Sequence, residues 1–300
     1  MRPRHVLLAT LIAALWGFNF VPISIALDDF PPFLMAALRF SAAAVPAVLF
    51  VRRPKVPVRW LLLVGLPLGV GQFGLLFLGM RMGMPAGLAS VVLQVQAIFT
   101  ALFAGVLLRE RLGAAQVGGM AVAFGGVVVL GTAQGTGSAA AFLVCLGGAA
   151  GWGLGNVAMR RMNREGGDVD PFAFMVWMSL VPILPLFALS LVFEGAGALP
   201  EAVRDASWGG VGSLMFIAYV STLFCFGAWG WLMRRYEAGT VAMYSLLVPP
   251  FGLASAAALL GERVTGVQLA GAVLVVAGVA AGSVRWRARP VPDVRPVETR

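Results

Sequence analysis

The chain has 300 residues, 60% of them hydrophobic and 12% charged, with a formal net charge of +9. Soluble domains run to roughly 45–50% apolar and 25% charged, so in water this composition would leave large apolar patches exposed. One histidine, His5, excludes histidine-rich zinc sites and most histidine catalysis, and the cysteines Cys145 and Cys225, in apolar runs without CxxC spacing, form neither a disulfide framework nor a metal site.

A membrane span needs roughly 20 apolar residues. Reading between the charges predicts ten: Val6–Leu27, Phe33–Val51, Trp60–Met80, Ala86–Leu108, Ala114–Ala133, Ala139–Met159, Pro171–Phe193, Ser207–Met233, Ala238–Leu260 and Thr265–Val284. Nine contain no Asp, Glu, Lys or Arg, and the second contains only Arg39. Backbone groups in lipid must be bonded internally, so the spans are helices and the fold class is an all-α integral membrane protein. The first span follows a basic start, as a signal peptide would. It is longer than a signal's apolar region and holds Trp16 and Asn19 mid-span, so it reads as a retained helix.

The charges orient the chain. With the N-terminus inside, the inner segments hold 18 of the 22 basic residues, and the outer loops hold only Arg81, Arg204 and Arg263. Both termini are therefore expected in the cytoplasm. Basic residues spaced between apolar stretches point to membrane topology, not to a face for nucleic acid. The tail, 285–300, is rich in Pro and Arg and reads as a disordered segment beside anionic lipid.

The two halves repeat. A shift of 152 carries Ala86-Gly87 onto Ala238-Gly239, Phe99 onto Phe251, and Glu110-Arg111 onto Glu262-Arg263. A shift of 136 carries Trp16-Gly17 onto Trp152-Gly153. The predicted domains are a first five-helix repeat, 1–137, a second, 138–284, and the tail. Five spans per repeat is odd, so the second copy enters from the opposite side, an arrangement found in secondary transporters with a midplane site. Small-xxx-small spacings at Gly65/Gly69, Gly79/Gly83, Gly147/Gly151/Gly155 and Gly278/Gly282 read as close packing within the bundle. Gly69-x-Gly71-x-x-Gly74 has the form of a dinucleotide fingerprint, but it lies inside an apolar helix with no preceding strand and reads as packing too.

These elements resemble the EamA-type transporters of the drug/metabolite transporter superfamily along essentially the whole chain. The carrying residues are Trp16-Gly17, Pro32 with Leu38-Arg39-Phe40, and the Glu-Arg pairs that close helices four and nine. The stretches Arg53–Pro57, Gly83–Gln94, Arg235–Glu237 and Ser245–Arg263 are similar to the bacterial O-acetylserine/cysteine exporter branch. The resemblance implies ten helices in two inverted repeats. It also implies a multi-pass bacterial inner-membrane protein that exports small amino-acid-like metabolites by alternating access. Arg109 stands before Glu110 where the family pattern has a small or apolar residue.

Polar residues inside spans are the candidate substrate contacts. Arg39 reads either as a counter-ion for a substrate carboxylate or as a structural cation reaching helix carbonyls or the outer surface. Trp16 and Asn19, three apart, and Trp152 and Asn156, four apart, each share a helix face. Gln94, Tyr244 and Ser245 complete the predicted site, with interhelical hydrogen bonding as the competing role for each. Gln94 and Gln96 are two apart and point nearly oppositely. Pro249-Pro250 predicts a kink in helix nine. The Glu-Arg pairs read as turn-capping interface anchors, with a gate salt bridge as the sharper alternative.

No P-loop is present, so ATP is not the energy source, and no cofactor or metal is expected. The expected partners are a small amino-acid-like solute and the bilayer, with a homodimer left open. The competing functions are an uptake permease or drug-efflux carrier of the same fold, a membrane-embedded enzyme, and a receptor without flux. The enzyme is disfavoured by spans without His, Asp, Glu or Lys.

Overall fold

Every structured segment is helical in the computed structural model, which describes residues 1–110, 113–132, 139–165, 169–236 and 238–283. Eight helices among these residues are long and apolar enough to cross a membrane. They are α1 (Pro3–Asp29), α3 (Val58–Arg81), α4 (Ala86–Leu107), α5 (Ala114–Thr132), α6 (Ala139–Glu165), α7 (Pro171–Phe193), α8 (Trp208–Arg235) and α9 (Thr240–Leu260). Two further apolar helices, α2 (Pro32–Val48) and α10 (Gly266–Gly282), are shorter. A two-turn helix, Ala198–Asp205, covers the link between α7 and α8. It buries Ala198 and Ala202 and carries Glu201 and Arg204 on the outside. Two links and the tail proposed from sequence, 133–138, 166–168 and 285–300, lie outside the described residues, as do Arg111 and Glu237.

Four helices depart from regular α geometry at matched places. α3 widens into a π segment at Leu66–Gly74, and α8 does so at Phe216–Phe224, an offset of 150 at both ends. Pro67 explains the first, because it removes an amide from the ladder. α4 tightens into a 3-10 turn at Leu93–Val95 and α9 at Met243–Leu247. The predicted kink in α9 falls just before Pro249-Pro250, but α4 breaks at the matching place without a proline. α1 is interrupted at Asn19, where Pro22 cannot donate back to the preceding turn.

Glycine sets how closely the helices pack. A Cβ on Gly119 of α5 would collide with the backbone of Gly278 and Gly282 in α10, and one on Gly126 would stand 2.7 Å from Gly271 O. The glycine spacing of α10 thus packs within the chain. A Cβ on Gly69 would collide with Pro182, so that motif is packing as well. Gly83 differs: its φ is +102° and nothing lies within 4 Å of its Cβ position, so it serves a turn. The Trp-Gly pairs have one cause. A Cβ on Gly17 would be 2.6 Å from Phe251 Cβ, and one on Gly153 would be 2.7 Å from Phe99 Cβ. Glycine therefore brings α1 onto α9 and α6 onto α4 at positions that the repeat shift equates.

The main core gathers Ile23, Leu34, Met35, Leu76, Phe77, Leu186 and Ile217, all exposed by 1% or less. These seven lie where α1, α2, α3, α7 and α8 meet, and the same core continues through Val91 of α4 and Cys145 of α6.

Candidate functional site

The packed Trp-Gly contacts hold α1 and α6 against α9 and α4, and the polar candidates sit beside these seams. Trp16 donates from Nε1 to the carbonyl of Ser221 at 3.1 Å. Ser221 belongs to the π segment of α8, whose wider turn leaves carbonyls for side chains to use. The indole also meets the rings of Phe226 and Trp229, at centroid distances of 5.1 and 5.0 Å. Trp16 and Tyr244 both lie partly buried against the apolar group of Ala9, Ile12, Cys225, Leu232 and Val241.

Gln94, in the 3-10 turn of α4, donates from Nε2 to the Ser245 carbonyl in the 3-10 turn of α9 at 3.1 Å. The two breaks therefore meet each other. The Ser245 hydroxyl turns back to Ala242 O at 2.7 Å. Asn156 Nδ2 donates to Thr100 Oγ1 at 3.2 Å and approaches Gln96 Oε1 at 3.5 Å, which ties α6 to α4. The two glutamines thus serve different neighbours, as their spacing predicts. Asn19 is 7% exposed, and its Oδ1 finds no hydrogen-bond partner among the described residues. Gln72, 1% exposed in the π segment of α3, likewise leaves Oε1 without one. Buried amides in this condition cost free energy unless a polar solute or water meets them. Trp152 lies half-buried on α6.

Arg39 is 1% exposed, so its guanidinium does not reach either surface. Nη2 donates to Thr222 Oγ1 at 2.7 Å, and that hydroxyl donates onward to Ile217 O at 2.8 Å across the π turn of α8. The guanidinium carbon stands 3.8 Å from the centroid of Phe73 in the π segment of α3. Nε and Nη1 have no hydrogen-bond partner among the described residues. A cation so placed is held by one neutral hydrogen bond and by ring faces, and keeps two donor nitrogens for an anion.

The two ends of the bundle differ. At one end, three carboxylates tie one half of the chain to helix starts in the other. Glu194 accepts from the amides of Phe33 and Leu34 at 2.6 and 3.0 Å. Glu262 accepts from Ala86 and Gly87 at 2.6 and 2.9 Å. Asp29 accepts from the Ser207 amide at 2.9 Å. Each satisfies orphan amides with the charge that the helix dipole favours. The other end carries ion pairs: Glu110 with Arg160 and Arg164, Arg59 with Glu165, and Arg234 with Asp170. Their arginines are 45–65% exposed, so water and salt screen them.

Gln94 and Ser245 come into direct contact, Trp16 and Tyr244 share one apolar group, Asn156 joins Gln96 and Thr100, and Arg39 stands apart between α3 and α8. A cavity of about 480 Å³, lined by Arg52, Lys55, Asp170 and Phe172 among others, contains none of the eight predicted site residues. Thr222 carries the most telling contact missed from sequence, because a mid-helix threonine gives no signal by itself. Gln72, a polar candidate from sequence as an amide in an apolar run, is buried in the π segment of α3. Glu194 was also missed as a cap, and Glu262, read as turn-capping, instead caps the start of α4; the amides they hold lie more than 150 residues away in sequence.

The model of the EamA-like transporter family matches residues 4–132 and 139–283, once per half. A Salmonella typhimurium protein named "Probable amino-acid metabolite efflux pump" is 45% identical over 274 residues, covering 90% of this chain and 92% of that protein. An Escherichia coli K12 protein of the same name is 41% identical over 292 residues, covering 96% and 98%. A "Probable terminal-alkyne amino-acid exporter" of Streptantibioticus cattleyicolor is 26% identical, covering 90% of each. A solved crystal structure shares the fold with a TM-score of 0.64 at 20% identity, covering 96% of this chain and 100% of that one.

Proposed function

Because the chain belongs to the EamA-like transporter family, we propose that it exports small amino-acid-like metabolites, of the O-acetylserine or cysteine type, by alternating access. The family and these relatives are multi-pass membrane transporters, not enzymes. The observation that carries the substrate class is the pair of efflux relatives at 45% and 41% identity, each matched along nine-tenths or more of this chain. In this reading all ten apolar helices span, as repeats 1–137 and 138–284 with the tail 285–300 inside. Both termini face the cytoplasm of a bacterial inner membrane.

The proposed substrate contacts are Trp16, Asn19, Arg39, Gln94, Trp152, Asn156, Tyr244 and Ser245. Amides and indoles exchange fixed hydrogen bonds for a solute's hydration without a charge that would trap it. The free Asn19 Oδ1 supports an acceptor for an ammonium group, and the spare Arg39 donors support a carboxylate contact. Counterflow in proteoliposomes loaded with a panel of amino acids tests the proposal. O-acetylserine or cysteine inside should drive uptake of the labelled partner. Counterflow confined to lipophilic drugs, or saturable binding with no flux for any solute, sinks it.

A further inference from the structure

Helices α4 and α9 end in one device. The amide of Glu110 donates to Ala104 O at 3.3 Å and that of Glu262 to Ala256 O at 3.4 Å. The residue before each glutamate is left-handed, Arg109 at φ 53° and Gly261 at φ 67°. All three positions in one turn map onto the other by the same shift of 152. The two turns lie at opposite ends of the bundle, because Glu262 meets the start of α4 while Glu110 follows its end. The 22 residues of α4 put about 33 Å between them at 1.5 Å per residue.

The partners of the two glutamates differ. Glu262 clamps the first turn of α4 through the amides of Ala86 and Gly87, and α4 has no side-chain cap of its own. A Cβ on Gly87 would stand 3.1 Å from Glu262 Oε2, so glycine is what admits the carboxylate. The same shift of 152 finds the same dipeptide, Ala238-Gly239, at the start of the helix leading into α9. Both oxygens of Glu110, however, accept from arginines: Arg160 Nη1 at 2.6 Å and Arg164 Nη2. Burial follows the clamp at three of four matched positions. Leu88, Ser90 and Val91 are buried, while their counterparts Thr240, Ala242 and Met243 are exposed, with Val91 at 0% and Met243 at 62%; Ala89 and its counterpart Val241 are both buried.

We propose that Glu110 and Glu262 are alternating latches, one for each end of the transport path. In this state Glu262 holds α4 shut against α9. In the opposite state Glu262 lets go, and Glu110 leaves Arg160 and Arg164 to clamp the amides of Ala238 and Gly239. A released Glu110 has its arginines, as seen here, and a released Glu262, at a helix end, returns to water together with the helix start it frees. The arginines that hold Glu110 are 45% and 57% exposed, which makes that pairing easy to give up. Neither latch needs to be strong in absolute terms, because only the difference between them sets the population of the two states.

Cysteine labelling of the full-length protein in membrane vesicles tests this without a substrate, so its failure and a failure of counterflow are separable. The background is Cys145→Ala with Cys225→Ala, carrying either Met243→Cys or Ser90→Cys. Glu110→Gln should raise labelling at position 243 and leave position 90 protected. Glu262→Gln should open position 90 and lower labelling at 243. Each change should be on the order of tenfold or more, the effect of one charge-assisted hydrogen bond on a two-state balance. Arg160→Ala with Arg164→Ala frees Glu110 for its latch and should lower labelling at 243, opposite in sign to Glu110→Gln. If Glu110 only anchors α4 to α6, the two variants move labelling the same way, and that result overturns the proposal. Should Glu110→Gln fold poorly, Gly239→Val keeps the glutamate and blocks its seat. It should reproduce the raised labelling, and unchanged labelling there overturns the proposal equally.

Discussion

Arg39 is the residue on which the energetics of the site turn. Burying a charge in a membrane costs at least ~2.5 kcal/mol unless it is paired or reaches the surface. At 1% exposure it does not reach the surface. The Phe73 face, 3.8 Å away, returns about 2 kcal/mol for a desolvated cation, and the Thr222 hydroxyl adds one hydrogen bond. These hold the side chain in place and leave Nε and Nη1 for a carboxylate. Arg39→Lys, which keeps the charge, should therefore retain part of the counterflow activity, and Arg39→Gln should lose it at unchanged expression. Thr222→Val should lower the affinity for substrate and cost about 1–3 kcal/mol of stability by removing the acceptor. Initial rates in proteoliposomes and thermal unfolding in detergent measure both. Equal loss of folded protein for the lysine and glutamine variants would make Arg39 a structural cation only. A decarboxylated substrate analogue transported as fast as its parent would remove the carboxylate contact altogether.

Helix seams give the sharpest contrast at the level of elements. Gly118 and Gly119 are neighbours on α5, yet a Cβ on Gly118 meets nothing within 4 Å while one on Gly119 would run into the backbone of α10. Gly118→Ala should leave thermal stability and the monodisperse elution profile unchanged. Gly119→Ala should separate α5 from α10 and cost about 1–3 kcal/mol or more, because backbone cannot yield as a flexible side chain does. Equal stability of the two variants would refute this account of the seam. Glycine spacing was readable in the sequence, and most of its pairs do pack, but Gly83 was grouped with Gly79 and turns out to serve a positive φ. Close approach and left-handed backbone ask for the same residue, so sequence alone cannot separate them. The break in α9 was announced by Pro249-Pro250. The matching break in α4 carries no proline, because tertiary contact through Gln94 and Ser245, not local chemistry, accompanies it.

For the whole molecule, the decisive feature is that carboxylates sit at the ends of the ten apolar helices and nowhere along the middle of them. Asp29, Glu194 and Glu262 hold backbone amides at one end, and Glu110 holds arginines at the other. The carboxylate-free spans were legible from composition, and the two-fold repetition from two shifts, 136 and 152. The difference between the two ends was not legible. A sequence that repeats describes both states of a symmetric device equally, and only one fold of the chain shows which latch is closed. This distribution bears directly on energy coupling. A proton relay through a bilayer uses Asp, Glu or His in mid-span, where the group alternates between sides as the carrier turns over. Here the mid-span polar groups are amides, indoles, hydroxyls and Arg39, and amides and hydroxyls do not titrate in the physiological range. Transport should accordingly be facilitated efflux, or respond to a pH gradient only through the ionisation of the substrate itself. For a solute that stays zwitterionic across the imposed gradient, the initial counterflow rate should be the same with and without a protonophore. A fixed stoichiometry of one proton per solute, abolished by replacing a mid-span residue such as Gln94 or Asn156 while solute flux persists, would show that a relay exists where the charge distribution leaves no titrating group to form one.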